Sequence, residues 1–165
     1  MTIRIYKKGY SLVEFVIYIT IIAIIAFTVT STLLSFSKSY RTILALRYSE
    51  FSGTTAMERL TRDLRMAVSV DTLNSTLGSS PGVLTIVSSA TTTKFYVQNG
   101  VLKVNINGLY FGPLTLSNVT VTNLVFNLLN NGTSEAIKVD MSLQSTVGPV
   151  VRNKTYHSTI VLKGK

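Results

Sequence analysis

From Phe15 to Leu34 the chain runs for 20 residues without a charge, FVIYITIIAIIAFTVTSTLL. A helix of that length spans about 30 Å, the thickness of the hydrocarbon core of a bilayer. Many of these residues are Ile and Val, which on propensity alone favour a strand. A lone strand in lipid leaves its backbone polar groups unpaired, so the run is read as a helix. A buried core helix of a soluble protein is usually shorter and shows a polar face. Hydrophobic residues make up 46% of the chain and charged residues 14%, against roughly 25% charged in an ordinary soluble domain. The mean hydropathy of +0.37 therefore belongs mostly to this one segment.

The flanks fit an ordinary secretory signal poorly. Arg4, Lys7 and Lys8 precede the run, as in a signal peptide, but the run is longer than the usual apolar core. No A-x-A cleavage site follows it, and Ala23 and Ala26 lie inside it. Lys38, Arg41 and Arg47 follow on the other side, so charge orients the segment weakly, tipped only by the initiator amine.

Glu14 stands near the start of this helix, where a charge needs a partner or a function. The bland explanation is a carboxylate that snorkels to the headgroups or favours the helix start through its dipole. The surrounding string is Lys7-Lys8-Gly9-Tyr10-Ser11-Leu12-Val13-Glu14. Basic residues, a glycine, an aromatic, then a glutamate and a long apolar helix: this resembles the class III signal of type IV pilins and type II secretion pseudopilins. The resemblance implies cleavage after Gly9 by a prepilin peptidase on the cytoplasmic side, and N-methylation of the new terminus at Tyr10. Phe is usual there in the family, so Tyr10 departs from the pattern. It also implies that Glu14 pairs with the terminal amine of a neighbouring subunit and sets the register of assembly. The implied partners are the peptidase, other pilin or pseudopilin subunits and the cytoplasmic membrane. The C-terminal part would lie outside the cytoplasm.

Beyond Ser37 the helical pattern gains charge. Met57, Leu60, Leu64 and Ala67 form one stripe, and no proline interrupts Tyr10 to Val68. A helix of that span is about 88 Å long. Gly53 marks a bend, a close contact or a tolerated glycine, at roughly 1 kcal/mol against Ala. The segment Met57–Arg65, MERLTRDLR, resembles the L-x-R-D-L-R stretch of J-type minor pseudopilins and W-type minor pilins. A solvated helix face is the plainer account of the same residues.

Residues 71–82 read as a polar loop with a breaker at Pro81-Gly82, after which the period falls to two. Strands are expected at 83–88, 94–98, 101–106, 119–129, 136–145 and 156–163. Asn99-Gly100 predicts a two-residue type I′ hairpin, and Asn107-Gly108 and Asn131-Gly132 further turns. The expected class is α+β: a long N-terminal helix packed on a C-terminal antiparallel β-sheet. The divisions are a leader at 1–9, a transmembrane half at 10–37, an amphipathic half at 38–70, the loop at 71–82 and the sheet domain at 83–165.

Little else carries chemistry. There is no cysteine, hence no disulfide, thiol nucleophile, iron–sulfur cluster or Cys-based zinc site. No nucleotide-binding glycine loop and no G-x-S-x-G occurs. His157 has no acid beside it in sequence and reads as structural or surface. After Asp71 the only acids are Glu135 and Asp140, so neither a carboxylate pair nor a calcium site is expected. No catalytic residue, metal or cofactor is assigned. Asn74, Asn118, Asn131 and Asn153 match the glycosylation pattern as chance hits in an Asn- and Thr-rich sequence. Net charge is +9, and from Val83 onward the balance is +5. That charge could serve nucleic-acid capture, with Phe95, Tyr96, Tyr110 and Phe111 for stacking, or plain solubility.

The expected function is a minor pilin or pseudopilin, a non-catalytic subunit of a type IV pilus, type II secretion or competence filament. The rivals are a DNA-binding competence pilin and an uncleaved single-pass membrane protein.

Overall fold

A computed structural model describes Gly9, residues 11–130 and residues 134–163. Their contacts divide into two compact units, one up to Tyr40 and one from Arg41 on. One helix, α1 (Leu12–Met66), enters both. Among the described residues of the first unit it is the only helix or strand, from Leu12 to Tyr40.

The second unit is α+β, as expected. After α1 come β1 (Ser69–Val70), β2 (Leu84–Val87), β3 (Thr92–Gln98), β4 (Val101–Ile106), β5 (Leu109–Pro113), β6 (Val119–Asn130), β7 (Glu135–Val147) and β8 (Val150–Val161). They form two antiparallel meanders, β1-β2-β3-β4-β5 and β6-β7-β8, where one sheet was expected. The break falls where pairing fails. The β4–β5 register shifts at Val104/Asn105, and β5 ends on Pro113, which has no N–H for a further ladder. Leu114 N still bonds Leu102 O, and then the chain turns away.

The inner faces of both sheets and one face of α1 share a single core. Ala56, Leu60 and Leu64 of α1 meet Leu84, Ile86, Phe95, Leu102 and Val104 from the first sheet. Leu124, Phe126, Ile137, Val139, Met141, Leu143 and Ile160 come from the second. Strict alternation in β7 produces this: Ile137, Val139, Met141 and Leu143 are buried, with polar residues between. Burying a side chain such as Phe95 or Phe126 stabilises by roughly 1.5–3 kcal/mol.

Local chemistry explains the turns. Asn99 and Gly100 have φ of 54° and 73°, and Asn107 and Gly108 have 51° and 80°. Both φ values are positive, as type I′ demands, and the pairs Gln98↔Val101 and Ile106↔Leu109 close two-residue hairpins. A third, unforeseen hairpin joins Val147 to Val150 through Gly148-Pro149, with Gly148 at φ 58°. Because of it β8 begins at Val150, not 156. The turn expected at Asn131-Gly132 lies outside the described residues.

The helix ends slightly earlier than its pattern suggests. Ala67 N bonds Leu64 O in a tightened last turn, and Val68 N already bonds Val87 O of β2. Gly53 is a close contact. A Cβ built on it falls onto the ring of Tyr156, whose hydroxyl donates to Ser49 O at 3.0 Å. The buried helix face around it is small throughout: Ala45, Ser49, Ser52, Gly53 and Ala56.

Candidate functional site

The residues singled out at the N-terminus are Gly9, Tyr10 and Glu14. Gly9 is exposed and non-helical, with nothing within 4 Å of where a Cβ would stand. Tyr10 lies outside the described residues, as do Arg4, Lys7 and Lys8. The helix starts at Leu12, so Ser11 is its N-cap and Glu14 falls in the first turn. Ser11 O accepts the first helical bond from Phe15 N at 3.1 Å. The spacing Ser11-x-x-Glu14 is that of a capping box, and a first-turn carboxylate complements the helix dipole. Tyr18, one turn on, donates its hydroxyl to Glu14 Oε1 at 3.1 Å.

Beyond Glu14 the helix is long and apolar enough to cross a membrane, and none of its most apolar 18-residue window is buried. Its few polar side chains look after themselves. The hydroxyls of Thr20, Thr30 and Thr32 donate to carbonyls four residues back, and those of Thr28 and Ser31 three back, at 2.8–2.9 Å. Such bonds let hydroxyl groups sit in an apolar medium without an external partner.

The Met57–Arg65 segment divides by face. Leu60 and Leu64 enter the core, and Asp63 is buried beside them. Arg59 Nε holds Asp63 Oδ2 at 2.7 Å, and Arg62 Nε lies 3.8 Å from Oδ1. Arg59 also stacks over Phe111, 5.3 Å from the ring centroid. Packing and a buried ion pair thus account for Arg59, Leu60, Asp63 and Leu64. Arg62 and Arg65 instead line a groove of about 580 Å³ with Met57, Thr61, Met66 and Tyr156.

The register of the second sheet creates a pair that sequence distance conceals. Asp140 and His157 lie opposite on β7 and β8, with Asp140 Oδ1 2.5 Å from His157 Nδ1. Lys138 Nζ is 3.5 Å from Oδ2. The His157 hydrogen bond, ahead of Lys138, holds the Asp140 carboxyl below its usual range. Glu50 is lowered and Lys154 raised by their mutual hydrogen bond at 2.7 Å. Burial raises Tyr156. Glu135 lies five residues from Asp140 on the same strand, and so on the opposite face.

Of the four aromatics considered for stacking, Phe95 is core and Tyr96 is half-buried, its hydroxyl on Asn105 Oδ1 at 3.1 Å. Tyr110 and Phe111 are exposed, and Lys103 Nζ lies 5.4 Å from the Tyr110 centroid. No protein-family model, curated protein or solved structure matches this chain.

Proposed function

We propose that the chain is a minor pilin or pseudopilin, a mechanical, non-catalytic subunit that a prepilin peptidase cuts after Gly9. Its helix would then hold it in the cytoplasmic membrane, with the second unit outside the cytoplasm, before it joins a filament. One observation carries the reading. An uncovered apolar helix begins immediately after an accessible glycine, with a single carboxylate in its first turn. In an apolar filament interior Glu14 needs a cation. The α-amino group that cleavage creates at Tyr10 is the nearest one the chain can supply, and pairing across subunits fixes register more than it adds stability. The general architecture, an apolar N-terminal helix whose later half packs on antiparallel sheet, is pilin-like. The motif resemblance at Met57–Arg65 supports the minor-subunit form through Arg62 and Arg65, since packing explains the rest.

Mass spectrometry of the native protein tests the reading. The expected mature chain starts at methylated Tyr10. An intact Met1 would instead support an uncleaved single-pass membrane protein. Glu14→Ala should be processed normally yet fail to enter filaments; normal incorporation removes the assigned role.

A second reading, nucleic-acid binding by the β-domain, is favoured by the exposed rings of Tyr110 and Phe111, each beside a half-buried cation, Lys103 and Arg59. Single-stranded oligonucleotide binding that weakens with salt, and weakens further in Tyr110→Ala, would support it. Binding unchanged by that substitution would count against it.

A further inference from the structure

Two meandering sheets have four edges, and three of them are closed or blunted. The β1 edge is two residues long. The β5 edge is five residues long, carries a register shift and ends on Pro113. The β6 edge is covered: Gly78 N and Gly82 N bond Phe126 O and Leu124 O, and Val121 N bonds Gly100 O. Short strands, bulges, proline and covering loops are the usual ways of stopping an edge from recruiting another chain.

The β8 edge has none of these devices. β8 runs twelve residues without a proline or a register shift and pairs only with β7. Its two-residue hairpin makes Val147↔Val150 a hydrogen-bonded pair, so the even-numbered residues of β8 bond to β7. Leu162 N on Glu135 O continues the same phase. The odd-numbered residues Val151, Asn153, Thr155, His157 and Thr159 therefore aim their N–H and C=O groups away from the sheet, and all five are exposed. Among the described residues none of these backbone groups has a partner. The open row is about 27 Å long at roughly 3.4 Å per residue.

Beside it lies the 580 Å³ groove, which Tyr156 of β8 closes against the α1 flank. Its walls include Met57 and Met66, and Arg62 and Arg65 stand there with one acid, Glu58. β8 itself carries Arg152 and Lys154 and no acid. A second copy of β8 laid antiparallel would set these cations against each other, which disfavours self-pairing. We propose that β8 is a docking edge for an extended segment of another polypeptide. The incoming strand adds its backbone to the outward row. Apolar and acidic side chains that share the face of this strand towards α1 enter the groove, the acidic ones meeting Arg62 and Arg65. The proposal stands whether or not the chain is a filament subunit.

The test uses the full chain in detergent micelles and three capped ten-residue peptides. One repeats Val-Thr-Glu-Thr, which puts its Val and Glu side chains on one face, one repeats Val-Thr-Lys-Thr, and the third is the Val–Glu peptide N-methylated at alternate residues on its pairing edge. Hydrogen exchange at the amides of residues 151, 153, 155, 157 and 159 is the readout. The Val–Glu peptide should slow it at least 10-fold, and the other two should not. Thr155→Pro, which removes an outward N–H and no β7 bond, should abolish the protection while the even-numbered β8 amides stay protected. Asn153→Pro provides a second variant of the same kind, and the N-methylated peptide needs no variant. The proposal is overturned if the Val–Glu peptide gives no protection, if the Val–Lys or N-methylated peptide protects equally, or if a folded proline variant binds as well as wild type.

Discussion

Gly53→Ala should destabilise the second unit even though it replaces the poorer helix former with the best one. On an exposed helix this substitution stabilises by roughly 1 kcal/mol. Here the new methyl falls onto Cζ, Cε2 and Oη of Tyr156, a ring held in place by its bond to Ser49 O. Overpacking costs about 1–3 kcal/mol, and a ring that swings away loses that hydrogen bond, about 1 kcal/mol more. The gain in helix propensity offsets part of this, leaving a net loss of about 1–3 kcal/mol. For a unit of this size, with an unfolding entropy of roughly 0.26 kcal/mol/K, the midpoint should fall by about 4–12 °C. Tyr156→Ala removes the obstacle. In that background Gly53→Ala should raise the midpoint, so the sign of the effect inverts. Thermal melts of the four proteins of the cycle, followed by circular dichroism of the full chain in detergent, supply the measurement. A stabilising Gly53→Ala in the wild-type background, or equal effects in both, would refute the close-contact argument.

Three further outcomes follow from named contacts. Asp63→Ala should cost about 2 kcal/mol, because Arg59 is left part-buried against Phe111 without its anion, and a double-mutant cycle with Arg59→Ala should show coupling above about 1 kcal/mol. Asp140 has a folded pKa below its ordinary 3.8, so its contribution is fully present above that value and is lost as pH falls through the lowered one. In a carboxyl-carbon NMR titration His157→Gln should move the Asp140 midpoint back up, and an unchanged midpoint would contradict the assigned cause. Gly108→Ala should cost about 1 kcal/mol from its positive φ alone, while Gly112→Ala, equally uncrowded and without positive φ, should stay within about 0.5 kcal/mol in urea unfolding.

The sequence made legible whatever was written in local chemistry. The uncharged run needed only length and charge, and the Asn-Gly hairpins needed only residues that tolerate positive φ. The strand β5 was hidden because Leu109-Tyr110-Phe111 shows no alternation: all three are exposed, one of them the unpaired residue at a register shift. The first half of β8, VVRNKT, was hidden because after its two valines it is polar on both faces, and pairing with β7 makes it a strand. The Asp140–His157 pair, the Tyr156 ring on Gly53 and the separation into two sheets all depend on register or packing between distant segments. No window along the chain contains that information. The candidate residues Gly9 and Glu14 lie in one contiguous stretch, so the sequence alone could propose them, and the structure adds an exposed glycine and a first-turn carboxylate.

The same helix follows two rules along its length, and the change of rule indicates where its stability comes from. From Arg41 on, its inward face is small: alanine, serine and glycine let the sheets approach, and leucines follow deeper in the core. From Leu12 to Leu34 the residues are large, branched and uncovered on every side of the helix. Fifteen large apolar side chains there remain 48–79% exposed. Completing their burial is worth about 1 kcal/mol each, on the order of 15 kcal/mol together. That exceeds the whole net stability of many domains, and a helix left so uncovered is compatible with insertion in a membrane. Covering from every side rules out a single groove on one partner. Under the proposed function that cover is lipid, or a ring of other helices replacing lipid. A lone carboxylate tolerated at the very start of such a surface costs little at the headgroup level and much more once neighbouring helices close around it. Under the proposed function the cost of Glu14 rises at the step where lipid is exchanged for protein, so its partner should matter for assembly more than for membrane insertion.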